Sequence, residues 1–382
     1  MKILIVTPYY YPYTSGITRY VQELAENLSY RNHEISVLTY KHDKNLKEYE
    51  IINKVKVFRT SFIFKYNRGV FSPFFIIKFI FMMRNYDVIN IHAPLPEIGL
   101  ISILSFLFRK KLVITYHCDF ITKYRIFSKL LEPLYLGSLR IATKISKRII
   151  VNSFEYAKNS FIKKRIFKTV EIFPPINIKK FRKTNPNNFR KKYGISPKEK
   201  IIGFVGRLTF EKGLNYLISA IPEINKKIKN VKVVIVGGGE KEIAGGKSES
   251  VRNKILGMIN HLKINNVILT GFLDDKSLID FYSACDVFVL PSINPMESFG
   301  MVQVEAMFCG VPVVTSNLYG VNLPIKLTGM GLLFTPGDSK QLAKAIMTIL
   351  QKKRKFIKPR KKLMKIFNLN DTFKKYEKIF VS

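Results

Sequence analysis

Cysteine is scarce in this chain of 382 residues, with three occurrences, Cys118, Cys285 and Cys309. None stands at the spacing of a metal-ligand pair, so they read as small buried hydrophobes of a reducing compartment. Acidic residues are also few, 27 against 64 Lys and Arg, which leaves a formal net charge of +37. Neither half holds a clustered Asp-x-Asp motif or a His and Cys ligand set, so nothing visible requires a divalent metal, and no cofactor is expected. Long apolar runs are missing too. The most apolar stretches, 71–83 and 98–108, are broken by Lys78 or last about 11 residues, against the roughly 20 a bilayer-spanning helix needs. They fit a peripheral face or a domain core. Residues 1–8 form a strand and a turn, too short for a signal-peptide core and without a cleavage site, so a cytoplasmic protein is expected.

What the chain does hold is apolar mass: 47% hydrophobic and 13% aromatic residues. That excludes a disordered chain, and the length is large for one core and natural for two domains. Apolar β-rich runs alternate with amphipathic segments, the pattern of parallel sheets covered by helices on both faces. Strands are expected near residues 2–7, 34–40, 55–59, 88–93, 112–116, 148–152 and 169–173, with helices at 18–31 and 73–84. Residues 174–181 break the pattern and 184–188 read as a linker. A second series follows at 201–206, 231–237, 267–271, 287–291, 312–316 and 331–335. The expected fold class is α/β, with two doubly wound, Rossmann-like domains facing across a cleft, spanning 1–183 and 184–360, and a closing segment at 361–382. In such sheets ligands bind beyond the carboxyl ends of the strands, so the residues standing there are the candidates.

Both halves are basic. The densest stretch, 109–168, sets 15 basic residues against Asp119, Glu132 and Glu155, interleaved with Phe120, Tyr124, Phe127, Leu130, Leu131, Leu134, Tyr135 and Leu136. A basic, aromatic helical stretch fits an anionic membrane surface, where each Lys or Arg contributes roughly 1 kcal/mol. It also fits a solvated helix face in a Lys-rich composition. Nucleic acid is not an expected partner, because no recognisable nucleic-acid module is present.

The most informative spacing lies after the strand at 287–291. Glu297 and Glu305 bracket Ser298, Phe299 and Gly300. If residues 298–309 form a helix, a carboxylate two turns in lies roughly 12 Å along the axis from one at its mouth, about the reach of a ribose, a pyrophosphate and a sugar. The backbone N–H groups of Ser298, Phe299 and Gly300 would then stand at the positive end of the helix, where a pyrophosphate is favoured. Eight residues at 100° each put the two side chains roughly 80° apart, so Glu297 is expected to curl over from the loop.

The run Glu297-Ser-Phe-Gly, followed by Val304-Glu-Ala-Met307 and Cys309-Gly-Val-Pro-Val313, closely resembles the donor-binding signature of retaining glycosyltransferases of family 4. Phe204-Val-Gly-Arg207 with Glu211-Lys-Gly213 is similar to the family's Gly-Arg and Lys-Gly pair, and Gly331-Leu-Leu-Phe-Thr-Pro-Gly-Asp338 resembles its next strand and loop. The resemblance covers most of the chain and implies the GT-B architecture. It implies further that Glu305 holds the ribose hydroxyls and Glu297 the hydroxyls of the donor sugar. Arg207 and Lys212 would meet the charge on the departing diphosphate, Arg with a fork and Lys with a point charge. Gly206 belongs to that motif. Gly238, in Val236-Gly-Gly-Gly239-Glu240, matches the Gly-rich loop, and Leu273, in Gly271-Phe-Leu-Asp-Asp275, the segment whose backbone meets the nucleobase. In the first half Gly16 stands where the family brings backbone N–H groups to a phosphate, with Ser15 replacing a second glycine. His117 stands where the family faces the donor sugar, and Asp119 would orient it or meet acceptor hydroxyls. Residues 321–329 depart from the pattern, lacking the Glu that many relatives carry, so the resemblance does not fix the donor. The last helix, 371–380, is one that in this family crosses back to brace the first domain.

Together these residues imply a retaining, metal-independent transfer of a hexosyl unit from a UDP- or GDP-sugar to an acceptor hydroxyl. The acceptor is a lipid-linked or membrane-associated glycan, as the basic aromatic stretch favours, or a soluble glycan or protein. A peripheral location on the cytoplasmic membrane face follows from the first option. Two other classes remain compatible with the sequence: a nucleotide-sugar epimerase or a phosphorylase on the same architecture, and a non-catalytic basic protein that binds nucleic acid or membrane.

Overall fold

Eight β-rich segments of the first half pair into one sheet, in the order Thr169–Glu171, Arg148–Val151, Lys111–Tyr116, Val88–Ala93, Lys2–Val6, Glu34–Tyr40, Val55–Thr60, Tyr49–Ile52. The structure is a computed structural model that describes residues 1–66, 69–120, 126–238, 248–294 and 296–382. All neighbours in this sheet run parallel except Tyr49–Ile52, which pairs antiparallel with Val55–Thr60 at one edge. Strands such as Val88–Ala93 are buried along their whole length, as a parallel sheet covered on both faces demands. Their apolar side chains join Phe75, Phe79, Ile98, Ile101 and Leu139 of the covering helices in one core.

A six-stranded, wholly parallel sheet forms the second unit, in the order Val267–Gly271, Val231–Val236, Lys200–Val205, Val287–Leu290, Val313–Ser316, Gly331–Phe334. Its core gathers Phe204, Leu217, Ile221, Val233, Val289, Leu342 and Ile346. Both sheets reverse their winding direction once. In the first this happens at Lys2–Val6, which lies between Glu34–Tyr40 and Val88–Ala93; in the second it happens between Lys200–Val205 and Val287–Leu290. Doubly wound sheets bind ligands beyond the carboxyl ends of strands at such points.

The units comprise Met1–Pro175 with Leu369–Ser382, and Ile176–Asn368. The division falls eight residues before the expected break at 183/184, and the returning segment starts at Leu369 rather than 361. Arg360 supplies the physical reason. Its guanidinium donates to the carbonyls of Phe181 (2.7 Å), Phe308 (2.9 Å) and Ile178, which clasps residues 178–181 and 360 to the second unit. The helix Leu369–Val381 joins the first unit through buried Phe373, Tyr376 and Phe380. The Tyr376 hydroxyl pairs with that of Tyr20 at 2.7 Å and lies 3.3 Å from Thr115 Oγ1, while Glu377 binds Arg31 and His33.

Candidate functional site

In the second unit, both loops leaving the strands at the reversal point carry candidate residues. After Lys200–Val205 the chain passes Gly206 and half-buried Arg207 into a 3-10 turn, Phe210–Lys212. Gly213 closes that turn at φ +65°, and a Cβ there would lie 1.9 Å from the Pro291 carbonyl oxygen. Only glycine lets the turn press against the neighbouring strand end. The Ile293 N–H then donates to the Glu211 carbonyl at 3.0 Å, joining the two loops by backbone. The consequence is an ion pair between Lys212 and Glu297, with side chains 18% and 20% exposed.

Glu297 stays in the loop, as expected, but the helix does not begin at 298. It spans Met301–Phe308, with Gly300 as its cap at φ +72°. A Cβ on Gly300 would come within 2.5 Å of Leu290 Cδ2, and a left-handed residue cannot continue a helix backward. Ser298, Phe299 and Gly300 therefore precede the first turn, and the Gly300 N–H already donates to Glu297 Oε1 at 3.1 Å. Glu305 is 3% exposed and accepts a hydrogen bond from the Tyr282 hydroxyl at 2.8 Å. Burial, reinforced by the Glu305 charge, pushes the Cys309 thiol up to about 12. Tyr282 was not foreseen, because a tyrosine near the end of an amphipathic helix suits a core as well as an acid.

Glycines bring two further strand ends into register with that of Lys200–Val205. The Gly206 N–H donates to Val236 O (3.0 Å) and the Gly237 N–H to Gly271 O (2.9 Å). Gly237 has φ +142°, and a Cβ there would lie 1.9 Å from Gly206 O. Gly238 follows, half-buried, while Gly239 and Glu240 lie outside the described residues. Leu273 is buried beside the exposed ring of Phe272. Four buried side-chain atoms, Thr209 Oγ1, Ser292 Oγ, Gln303 Oε1 and Ser316 Oγ, lack hydrogen-bond partners among the described residues. Three of them stand at or just after the carboxyl ends of strands of this one sheet. Buried polar atoms are nearly always satisfied, so these atoms could accept polar partners from outside the chain, although similar atoms, such as Tyr10 Oη and Asn322 Oδ1, occur elsewhere among the described residues.

The first unit places His117 just after Lys111–Tyr116, 4% exposed. Its Nε2 lies 2.9 Å from His92 Nδ1, and His92 Nε2 lies 2.9 Å from Asn90 Oδ1. Burial drives the His117 imidazole down to about 3 and His92 well below its ordinary value, the latter aided by His117. His92 was missed by sequence reasoning, although a signal existed: Asn90 and His92 are polar residues two apart in a strand otherwise apolar and fully buried. Asp119 does not orient His117. Its carboxylate accepts from the Tyr116 hydroxyl and from the Phe161 N–H at 3.1 Å, and burial raises its pKa against those two bonds. Gly16 opens the helix Gly16–Tyr30, where Ser15 Oγ accepts from the Thr18 N–H at 3.1 Å. A Cβ on Gly16 would meet nothing within 4 Å, so the turn itself does not require glycine.

The family description Glycosyl transferases group 1 matches residues 185–366, and Glycosyltransferase Family 4 matches residues 14–175. An uncharacterised glycosyltransferase of Methanocaldococcus jannaschii is 31% identical over 376 residues, 92% of this chain and 89% of that protein. The chain belongs to glycosyltransferase family 4. This family 4 glycosyltransferase is also 26% identical over 359 residues to the phosphatidyl-myo-inositol mannosyltransferase of Mycobacterium leprae, covering 92% of the chain and 88% of that relative. The crystal structure of Anabaena HepE in complex with UDP and glucose matches it with a TM-score of 0.79 at 23% identity over 100% of both chains. That likeness speaks for the fold, an α/β GT-B enzyme with two Rossmann-like units.

The buried neutral histidines generate a stability prediction for this glycosyltransferase. Unfolded histidine binds its proton near pH 6.5, whereas folded His117 does so only near pH 3. Between those values the unfolded state holds more protons, so stability present above pH 6.5 is lost as pH falls, by up to about 1.4 kcal/mol per unit. The melting temperature of the wild type should fall more steeply from pH 6.5 to 4 than that of His117→Gln. Parallel curves would contradict the buried neutral state.

Proposed function

We propose that the protein is a retaining, metal-independent hexosyltransferase that uses a UDP- or GDP-sugar and delivers the sugar to a hydroxyl of a membrane-associated, lipid-linked acceptor. The observation that carries this reading is the Lys212–Glu297 pair at the reversal point of the second sheet, beside buried polar atoms without partners. An incoming diphosphate would take Lys212 and release Glu297 to the sugar hydroxyls, so one binding event aims both charges. Arg207 and Lys212 would then stabilise the charge that grows on the leaving phosphate, the electrostatic role a metal fills elsewhere. In the reaction the bond from the anomeric carbon to the phosphate oxygen breaks and a bond to the acceptor oxygen forms on the same face. The acceptor proton passes to the leaving phosphate. Glu305 would hold the ribose, its carboxylate already fixed by Tyr282, and His117 would meet the donor sugar.

A specific surface favours a lipid-linked acceptor. The membrane contact expected from residues 109–168 lies partly outside the described side chains, since Tyr124, Phe127, Leu130 and Leu131 fall among those not described. Within that stretch Leu134 and Phe167 are exposed, and further exposed apolar side chains stand on two neighbouring segments of the first unit: Phe74, Ile77 and Phe81 on the helix Pro73–Met83, and Leu100, Phe106 and Leu107 on Ile98–Leu107. Lys78, Arg84, Arg109 and Lys110 lie within or next to these segments, so apolar rings and cations share one region, the combination that suits an anionic bilayer surface. Among the described residues no helix is long and apolar enough to cross a membrane. The mannosyltransferase relative from Mycobacterium leprae, whose name carries a phosphatidyl lipid, supports the same choice.

A thermal-shift panel of nucleotide sugars tests the donor, because a bound ligand raises stability by mass action. One UDP- or GDP-sugar should raise the melting temperature and be consumed when acceptor is added, and Lys212→Ala should lower turnover by roughly a hundredfold. Near-normal turnover in that variant would contradict the phosphate assignment. For the membrane face, anionic vesicles should sediment the protein at low salt and release it at high salt. Phe81→Ser with Phe106→Ser should weaken that sedimentation, and indifference of the wild type to vesicles would remove the lipid reading.

A further inference from the structure

The row Asn90–His92–His117 determines where its protons sit. Asn90 Nδ2 lies 3.2 Å from the Val113 carbonyl, which can only accept, so the amide nitrogen must point there and the amide oxygen toward His92. That oxygen, 2.9 Å from His92 Nε2, can only accept as well, so His92 carries its proton on Nε2. A neutral imidazole holds one proton, which makes His92 Nδ1 an acceptor. Its partner at 2.9 Å is His117 Nε2, which must donate. By the same rule His117 Nδ1 is left with a bare lone pair. Reversing the row would set two amide or carbonyl oxygens against each other at Val113.

The surroundings hold this arrangement. The register pairs Asn90 with Val113 and His92 with Thr115, so the two strands carry the row side by side. The Thr115 hydroxyl lies 3.1 Å from Asn90 Nδ2 and 3.3 Å from the Tyr376 hydroxyl. The Tyr20 ring stands edge-on to His117, with centroids 4.7 Å apart and planes at 83°. Every polar atom of these three side chains has a hydrogen-bond partner except His117 Nδ1, which has none among the described residues although the residue is more than nine-tenths buried.

We propose that His92 is a positioning residue which, anchored by Asn90, fixes the His117 proton on Nε2 and so makes His117 Nδ1 an obligate acceptor for a hydroxyl of the sugar substrate. The inference rests on the transferase reading only for the identity of that hydroxyl. Its consequence is selectivity: a group that donates is bound, while a fluorine or a keto oxygen at the same place faces a lone pair and leaves a buried polar atom unmatched. Sites built to bond one hydroxyl reject the analogue lacking it strongly.

The test uses the full chain labelled with nitrogen-15 histidine, of which it has five residues. Two-bond proton–nitrogen spectra of the wild type should show His117 protonated on Nε2 and bare on Nδ1. His92→Leu should spread that proton over both nitrogens, and His92→Asn, whose Oδ1 can stand near the former Nδ1, should restore the pattern. With nucleotide sugars carrying single hydroxyl-to-fluorine replacements, the wild type should reject one analogue by at least about tenfold in kcat/KM. His92→Leu should lose that discrimination, with KM for the hydroxyl donor rising more than kcat falls, whereas a merely structural role would weaken all donors alike. A wild-type proton on Nδ1, or an unchanged pattern in His92→Leu, would overturn the proposal. A chain with the stated pattern that consumes no nucleotide sugar would overturn the transferase reading and leave the proton row standing.

Discussion

The ion pair between Lys212 and Glu297 depends on two strand ends being brought within side-chain reach, and much of the second unit serves that approach. Gly213 lets a turn press on Pro291, Glu211 and Ile293 lock the two loops by backbone, and Gly300 turns the chain so that Glu297 remains outside the helix. Each side chain is about four-fifths covered, so the attraction is stronger than at an open surface, and removing either partner leaves a half-buried charge uncompensated. Under the function proposed above, this pair is where an anion would exchange for the carboxylate. A diphosphate can replace the carboxylate against the lysine without leaving either charge alone, provided the freed carboxylate finds hydroxyls.

The first unit solves a different problem with the same economy of buried polar groups. Its central strands lie wholly inside a parallel sheet, where an unpaired polar atom is costly. Asn90, His92, Thr115 and His117 are tolerated because each bonds another, and the returning helix adds Tyr376 to the chain of hydroxyls. The chain of bonds stops at one nitrogen near a strand end, where the fold class places ligands.

Much of this was legible in the sequence because parallel strands are short apolar runs with sharp ends. Thirteen expected strands have counterparts within about two residues, since hydrophobic period and turn residues mark both ends. The antiparallel edge strand Tyr49–Ile52 was not foreseen, since four residues, none of them buried, are too short a run to show a period. The helix start was misplaced because composition cannot show that Gly300 adopts a left-handed backbone. The division between units was misplaced because Arg360, distant in sequence, ties residues 178–181 to the second sheet. Glu297, Lys212 and His117 were recognisable from flanking motifs. Their partners His92 and Tyr282 were not, as partnership is set by register and packing rather than by spacing.

The most direct test of the central claim compares two ligands on one variant by calorimetric titration: the free nucleoside diphosphate and the corresponding nucleotide sugar, each with the wild type and with Glu297→Gln. If the acid holds the lysine until the diphosphate arrives and then turns to the sugar, neutralising it should tighten binding of the diphosphate and weaken binding of the nucleotide sugar. Shifts of the same sign for both ligands, or no shift for either, would contradict the account.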